Sequence, residues 1–204
     1  MQNNLCESQT KINLMRAFAG ECQSRQRYYQ AALIAQQQNY VGLERMFRFT
    51  AEQEERHAKQ FFEKLKECAG ETIEIQATYP ASVFSDLGEL LDASAKEEYH
   101  EFSEVYPEFS SVAKQEGFTD IASEFDMIAK IEESHHKRFD YYLKLWKEDM
   151  LLRSESSDEL WMCLNCGHIH KGSEPPRECP VCGAQQGYFI REAEAPFTDC
   201  NMLN

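Results

Sequence analysis

No uninterrupted apolar stretch in these 204 residues approaches the roughly 20 residues that a membrane-spanning helix needs. The opening Met1-Gln2-Asn3-Asn4 is polar and lacks a basic start followed by an apolar run, so no secretory signal is read and a cytoplasmic location is expected. A basic stripe is missing too. The net charge is −14, with 17 basic against 27 acidic residues over 1–150 and 4 against 8 over 151–204. Nucleic acid and anionic membranes are therefore poor partners. Cysteine, by contrast, is plentiful. Eight are many for disulfides in a reducing compartment, and metal binding is the expected use.

The length allows one medium domain and a small one. Over residues 1–152, apolar positions recur at steps of three and four, the spacing of helices that face a bundle core. Four long helices are expected, over 11–38, 41–68, 86–117 and 119–152. Gly70 is a plausible stop for the second, and Asp86 with Glu89 resembles a capping box for the third. Residues 71–85, which include Pro80, are long enough to cross the bundle from end to end. Pro107 removes a backbone hydrogen bond from the third helix, so a kink, a bulge or a break and restart is expected there, close enough to Glu101 to aim it. Residues 153–160 form a polar linker. The segment 161–204 has no helical period and is too small to fold on an apolar core alone, so a structural metal is expected. The fold class is mainly α, a four-helix bundle followed by a small metal-bound domain.

Two stretches carry a glutamate followed three places later by a histidine: Glu54 with His57, and Glu132 with His135. Both lie in apolar stripes. One reads Leu43, Phe47, Thr50, Glu54, His57, Phe61, Leu65, Cys68, and the other Ile121, Phe125, Ile128, Glu132, His135, Phe139, Tyr142, Trp146. Each follows a helix with its own inward glutamate, Glu21 or Glu98. The intervals of 33 and 34 residues suggest a duplicated helical hairpin with a pseudo-twofold axis. Glutamate is seldom buried unless it is paired or bound. One carboxylate from each of two helices, plus Glu-x-x-His from each of the other two, is the di-iron carboxylate arrangement, since residues i and i+3 share a helical face. Carboxylate and imidazole suit iron or manganese. Glu101, a turn beyond Glu98, is a fifth inward carboxylate and suggests a metal that changes ligand with oxidation state. Glu52, Glu55, Glu97, Glu133, His100 and His136 fall off the stripes and are expected in solvent.

Cys163-Leu164-Asn165-Cys166 and Cys179-Pro180-Val181-Cys182 form two C-x-x-C knuckles twelve residues apart, a closed tetrahedral thiolate site. Zinc and iron both accept such a site. Iron is favoured by its company, because a redox-capable metal pair in the same chain needs electrons. Cys6, Cys22, Cys68 and Cys200 are expected as ordinary thiols.

These motifs, in this order, resemble the rubrerythrin family over about residues 14–190. The resemblance is carried by Thr50-Ala51-Glu52-Gln53-Glu54-Glu55-Arg56-His57-Ala58, Glu98-Tyr99-His100-Glu101, Tyr106-Pro107-Glu108-Phe109, and the segments around Cys163-x-x-Cys166-Gly167-His168 and Cys179-Pro180-Val181-Cys182-Gly183. It implies a ferritin-like bundle (1–152) with a non-haem di-iron centre, a linker (153–160), and a rubredoxin-like domain with tail (161–204). Glu54 and Glu132 would bridge the irons. Glu21, Glu98 and His135 would be terminal ligands, and Glu101 and His57 would exchange on one iron. Tyr28 and Tyr106 would lie behind the ligands with hydroxyls able to reach bound peroxide. One further iron would sit on Cys163, Cys166, Cys179 and Cys182, with His170 near it. The implied activity is reduction of hydrogen peroxide to water, with electrons from rubredoxin or an NAD(P)H-dependent reductase. A ferroxidase or iron-handling protein is the alternative. The end of the fourth expected helix lies roughly 27 Å along the axis from His135, far for electron transfer within one chain. The resemblance answers this with a head-to-tail homodimer.

Overall fold

A computed structural model describes residues 4–196 and builds the four rods of the bundle from five α-helices. α1 (Gln9–Gln37) pairs along α2 (Val41–Lys64). α3 (Leu87–His100), a π-helical turn (Glu101–Val105) and α4 (Tyr106–Gln115) form the third rod, which packs along α5 (Thr119–Lys147). Ser8 caps α1 by accepting the Lys11 amide at 3.1 Å, and Asp86 caps α3 by accepting the Glu89 amide at 2.9 Å. The Glu116 carboxylate accepts the amides of Gln9 and Thr10 at 2.9 and 2.8 Å, tying the end of the third rod to the start of α1.

Some boundaries differ from the sequence expectation. α2 stops at Lys64 and passes into a 3-10 turn, Leu65–Cys68. α5 stops at Lys147, short of 152, because the chain turns through a left-handed Asp149 (φ 56°). The third rod has its distortion one step ahead of the proline. Pro107 has no N–H to donate back along the helix, and the preceding turn widens into the π segment that begins at Glu101.

Cys6 and Cys68 are not ordinary thiols. They form a disulfide, with Cα atoms 5.4 Å apart. An N-terminal 3-10 turn, Leu5–Glu7, lays Leu5 into the same apolar cluster as Leu65 and so brings the two cysteines together across 62 residues of sequence. Cys22 is a free, exposed thiol as expected, and Cys200 lies outside the described residues.

The two stripes face inward as their spacing demands. Every member is buried except Tyr142 and Trp146, which are half-buried. The core they form is divided. One apolar cluster gathers Leu43, Phe47, Leu91 and Phe139, and the other gathers Leu14, Phe61, Tyr106 and Phe125. Along α2 and α5 the residues between the clusters are Glu54, His57, Glu132 and His135. A phenylalanine removed from water contributes roughly 1.5–3 kcal/mol, and each polar belt position lies between such residues.

After the bundle, β1 (Leu160–Cys163) is the central strand of an antiparallel sheet, flanked by β2 (Ile169–Lys171) and β3 (Phe189–Arg191). Trp161 and Phe189 fill its core with Cys163 and Cys179, and the Trp161 indole donates to Gly172 O at 2.8 Å. This unit docks on the α1–α2 end of the bundle. Arg45 donates to Leu164 O at 3.1 Å, and the hydroxyls of Tyr141 and Tyr142 donate to the Glu194 carboxylate at 2.6 and 3.2 Å. Among the described residues no helix is long and apolar enough to cross a membrane.

The tightest point of docking is Gly187, where a Cβ would stand 1.6 Å from Asn39 O. Gly187→Ala must push the small unit off the α1–α2 turn, at a cost of roughly 1–3 kcal/mol. We expect faster proteolysis within 153–160 in this variant, with the visible absorption of the cysteine site unchanged. Equal cleavage rates would show that the docking is not tight.

Candidate metal centres

Four rods deliver six ligand-type side chains to one level of the bundle: Glu21 from α1, Glu54 and His57 from α2, Glu98 from α3, and Glu132 and His135 from α5. All are buried, five of them with at most 1% exposure. Their atoms sort into two sets. His57 Nδ1 lies 2.9 Å from Glu54 Oε2, 2.9 Å from Glu132 Oε1 and 3.7 Å from Glu21 Oε2. His135 Nδ1 lies 2.9 Å from Glu54 Oε1, 2.7 Å from Glu132 Oε2 and 3.7 Å from Glu98 Oε2. Glu54 and Glu132 thus give one oxygen to each set, as bridging carboxylates do. Each set is four donor atoms within 4.8 Å of one another.

The chemistry of these atoms tests whether cations fit. Both oxygens of Glu54 and of Glu132, Oε2 of Glu21 and of Glu98, and Nδ1 of His57 and of His135 are buried without a hydrogen-bond partner. Buried polar atoms are normally satisfied, and these eight converge on the two sets. Two hard cations with oxygen and nitrogen donors satisfy them together.

The groups behind the donors hold them in place. The Tyr28 hydroxyl donates to Glu98 Oε1 and the Tyr106 hydroxyl to Glu21 Oε1, a matched pair across the pseudo-twofold axis. The tyrosines therefore lie behind the ligands, with their protons committed to carboxylates. His135 Nε2 meets Gln53 Oε1 at 3.1 Å, and Arg138 donates to the same oxygen at 3.0 Å and to Thr50 Oγ1 at 2.9 Å. This chain fixes the His135 ring with Nδ1 toward the site. Sequence reasoning missed Gln53 and Arg138. Their only signal was a position beside Glu54 and a position three residues after His135. Among the described residues no such bond anchors Nε2 of His57.

Glu101 belongs to neither set. It opens the π turn, half-buried, on the wall of a cavity of about 450 Å³ shared with Tyr106, Tyr79, Arg16 and Arg27. Glu97, expected in solvent, is mostly buried and pairs with Arg27 at 2.8 Å.

At the cysteine site, Sγ of Cys163 and Cys182 are 3.8 Å apart, and Sγ of Cys166 and Cys179 are 3.7 Å apart. A tetrahedron with metal–sulfur bonds of about 2.3 Å has edges of about 3.8 Å. The knuckles are alike. Gly167 and Gly183 take φ of 77° and 73°, and their amides donate to Cys163 O and Cys179 O at 2.8 and 2.9 Å. The Asn165 side chain and the Ala184 amide hold the Cys182 thiol down at about 6, favouring the thiolate that binds metal. His170 lies on β2 opposite Trp161 and is not one of the four donors. The chain folds back so that Leu164 meets Arg45, nine residues from Glu54 on α2, or roughly 14 Å along the axis.

A ferritin-like four-helix bundle with this donor set is a di-metal carboxylate protein, here joined to a rubredoxin-like unit with four cysteine ligands. The rubrerythrin family profile matches residues 13–143 and the profile of its rubredoxin-like domain matches residues 161–190, so the chain belongs to the rubrerythrin family. It is similar to the rubrerythrin of Clostridium perfringens, 42% identical over 89% of this chain and 93% of that one, and to that of Porphyromonas gingivalis, 38% identical over 93% and 92%. Among solved structures it resembles fully reduced, all-ferrous nigerythrin at a TM-score of 0.60 and 27% identity, over 93% of this chain and 92% of that one. The family's di-iron site and its four-cysteine iron site correspond to the donor sets described.

Considered as protein groups alone, the cluster retains protons. Burial, then the Glu132 charge, pushes Glu21 up to about 8, and burial, then Glu54, pushes Glu98 well above the usual range. Burial would raise Glu54 as well, but the close His135 and His57 rings outweigh it and hold Glu54 down at about 2. Carboxyls raised above their unfolded value of 4.5 contribute stability below that pH and lose it as pH rises through about 8. The metal-free protein should therefore melt lower at pH 8 than at pH 5, by on the order of 5 °C. Ferrous loading should remove that trend. A flat or rising melting temperature of the metal-free protein over this range would contradict the assignment.

Proposed function

We propose that the chain is a cytoplasmic non-haem di-iron peroxidase that reduces hydrogen peroxide to water, with electrons arriving through the four-cysteine site. In this reading residues 1–152 are the catalytic bundle, 153–160 the linker and 161–204 the electron-accepting unit. Family membership supports the oxidoreductase class and an electron-transfer role for the rubredoxin-like unit. The observation that carries the peroxidase reading is a bridged di-metal donor set in a chain that also holds a four-cysteine site, beside a cavity walled by a spare carboxyl. Peroxide reduction takes two electrons and two protons and yields two waters. Glu21, Glu54, His57, Glu98, Glu132 and His135 would hold a ferrous pair, which would supply two electrons, one from each ion.

The side chains do the rest. Tyr28 and Tyr106 keep Glu98 and Glu21 oriented. Burial, then the Glu98 and Glu21 charges, raises the Glu101 carboxyl well above the usual range in the metal-free protein, and its side chain is on the cavity wall where a proton is needed. Glu101 is also the group we assign to trade places with His57, the less anchored of the two histidines. Rubredoxin or an NAD(P)H-dependent reductase is the proposed donor. Glu101→Ala should retain two irons per bundle, since the remaining donors are complete, and should lose peroxide turnover by about 10²-fold or more. Wild-type turnover would remove Glu101 from the reaction. Reduced protein should also be reoxidised faster by peroxide than by oxygen, and the reverse order would favour a ferroxidase.

Electrons are proposed to cross between subunits of a head-to-tail homodimer. The Arg45–Leu164 contact favours a second route, from the four-cysteine site to the metals of the same chain. Mixing Cys163→Ala/Cys166→Ala protein with Glu54→Ala/Glu132→Ala protein separates the two. Crossing predicts that heterodimers recover donor-driven peroxide reduction that neither parent shows. Mass-confirmed heterodimers without activity would establish the route within one subunit.

A further inference from the structure

Cys6 and Cys68 belong to neither metal site described above; with Glu71 they form a separate cluster whose sulfurs and carboxylate lie within 4.8 Å of one another. Their Cα separation of 5.4 Å is that of a relaxed disulfide pair. Cys68 is buried, while Cys6 is half-buried and within reach of small solutes. The Lys11 ammonium hydrogen-bonds to Cys6 O and pairs with the Glu71 carboxylate at 3.1 Å, which ties the turn that carries Cys6 to the start of the crossover. The four-cysteine site takes a metal only while Cys163, Cys166, Cys179 and Cys182 are reduced, so the chain must be reduced when that site is loaded. A disulfide in such a chain is made by an oxidant after folding.

The position of the pair gives the bond a consequence. Cys68 ends the last turn of the second rod. Gly70 follows with φ 91°, and at Glu71 the extended crossover begins. Residues 76–80 of that crossover wall the cavity that reaches Glu101 and Tyr106. Tyr79 is pinned there by a hydrogen bond from its hydroxyl to Arg16 O at 3.0 Å. The crossover is thus held at Cys68 by the disulfide, at Glu71 by the Lys11 ion pair and at Tyr79 by its hydrogen bond, and the disulfide is the covalent tether.

We propose that Cys6 and Cys68 are a peroxide-oxidised thiol pair, a second redox site that needs no metal, and that its closure clamps the start of the crossover that walls the cavity. The Cys6 thiolate attacks one peroxide oxygen. An S–O bond forms, the O–O bond breaks, and the departing oxygen takes a proton and leaves as water. Cys68 Sγ then attacks Cys6 Sγ. The S–S bond forms, the S–O bond breaks, and hydroxide leaves with the Cys68 proton as the second water. Two thiols surrender two electrons and one peroxide accepts them.

The test uses iron-loaded full-length protein, fully reduced, freed of reductant without oxygen, and exposed to stepwise hydrogen peroxide. Alkylation and peptide mass should show Cys6 linked to Cys68 within several equivalents, with thiol reductant reversing the link. Cys68→Ser should leave a sulfenic acid at Cys6 that dimedone traps, while Cys6→Ser should leave none. Backbone hydrogen exchange over residues 69–80 should slow several-fold on closure. Glu54→Ala/Glu132→Ala protein should form the same bond, so failure of the peroxidase reading and failure of this one are told apart. The proposal is overturned if both thiols stay fully alkylatable after a large excess of peroxide. It is also overturned if the bond in the purified protein resists thiol reductant, or if exchange over 69–80 is the same in both states.

Discussion

Four carboxylates facing one another in the middle of a hydrophobic bundle are the constraint from which the rest of this structure follows. Each is essentially withdrawn from water. A buried, uncompensated charge costs several kcal/mol, more than any single apolar contact returns. The fold tolerates them only by surrounding the belt with two separate apolar clusters and by pointing the unsatisfied oxygens and imidazole nitrogens at common centres. Rod lengths, the two hairpins and the tyrosines donating across the axis all keep that geometry closed. Metal and fold are therefore coupled in the same atoms.

Much of this was written in the chain. A glutamate on an apolar stripe is legible because the helical period fixes which way it points, and all six donors of the two sets fell on such stripes. The paired C-x-x-C knuckles were legible for a different reason, since a turn of four residues determines its own geometry. What could not be read depends on distance in space. Tyr28 and Tyr106 were expected to lie behind the ligands, but nothing in the sequence says that each serves the glutamate of the other hairpin. The Gln53–Arg138 support of His135 joins residues 85 apart. The disulfide depends on where a three-residue turn lies at the N-terminus. The contact between Leu164 and Arg45 depends on a chain folding back through a linker with no periodicity of its own. The proline in the third rod announced a distortion, and only the structure shows it as a widened turn that starts at Glu101.

The two halves of the bundle are equivalent in their ligands and unequal in their support. His135 is braced by an amide and a guanidinium, while His57 has no corresponding partner among the described residues. Glu101 and the cavity add to the difference. Symmetry makes the paired site easy to build, and its local loss leaves one histidine less braced than the other.

The duplicated hairpin also has a bearing on assembly. A segment carrying one tyrosine, one lone glutamate and one Glu-x-x-His contains half of everything the belt requires, and it presents its tyrosine to the other half rather than to itself. Two identical copies of such a segment would close around a pair of ions by rotation alone, each completing the other's polar shell. The covalent join between the halves is the crossover over 71–85, so every chain carries both halves of the belt.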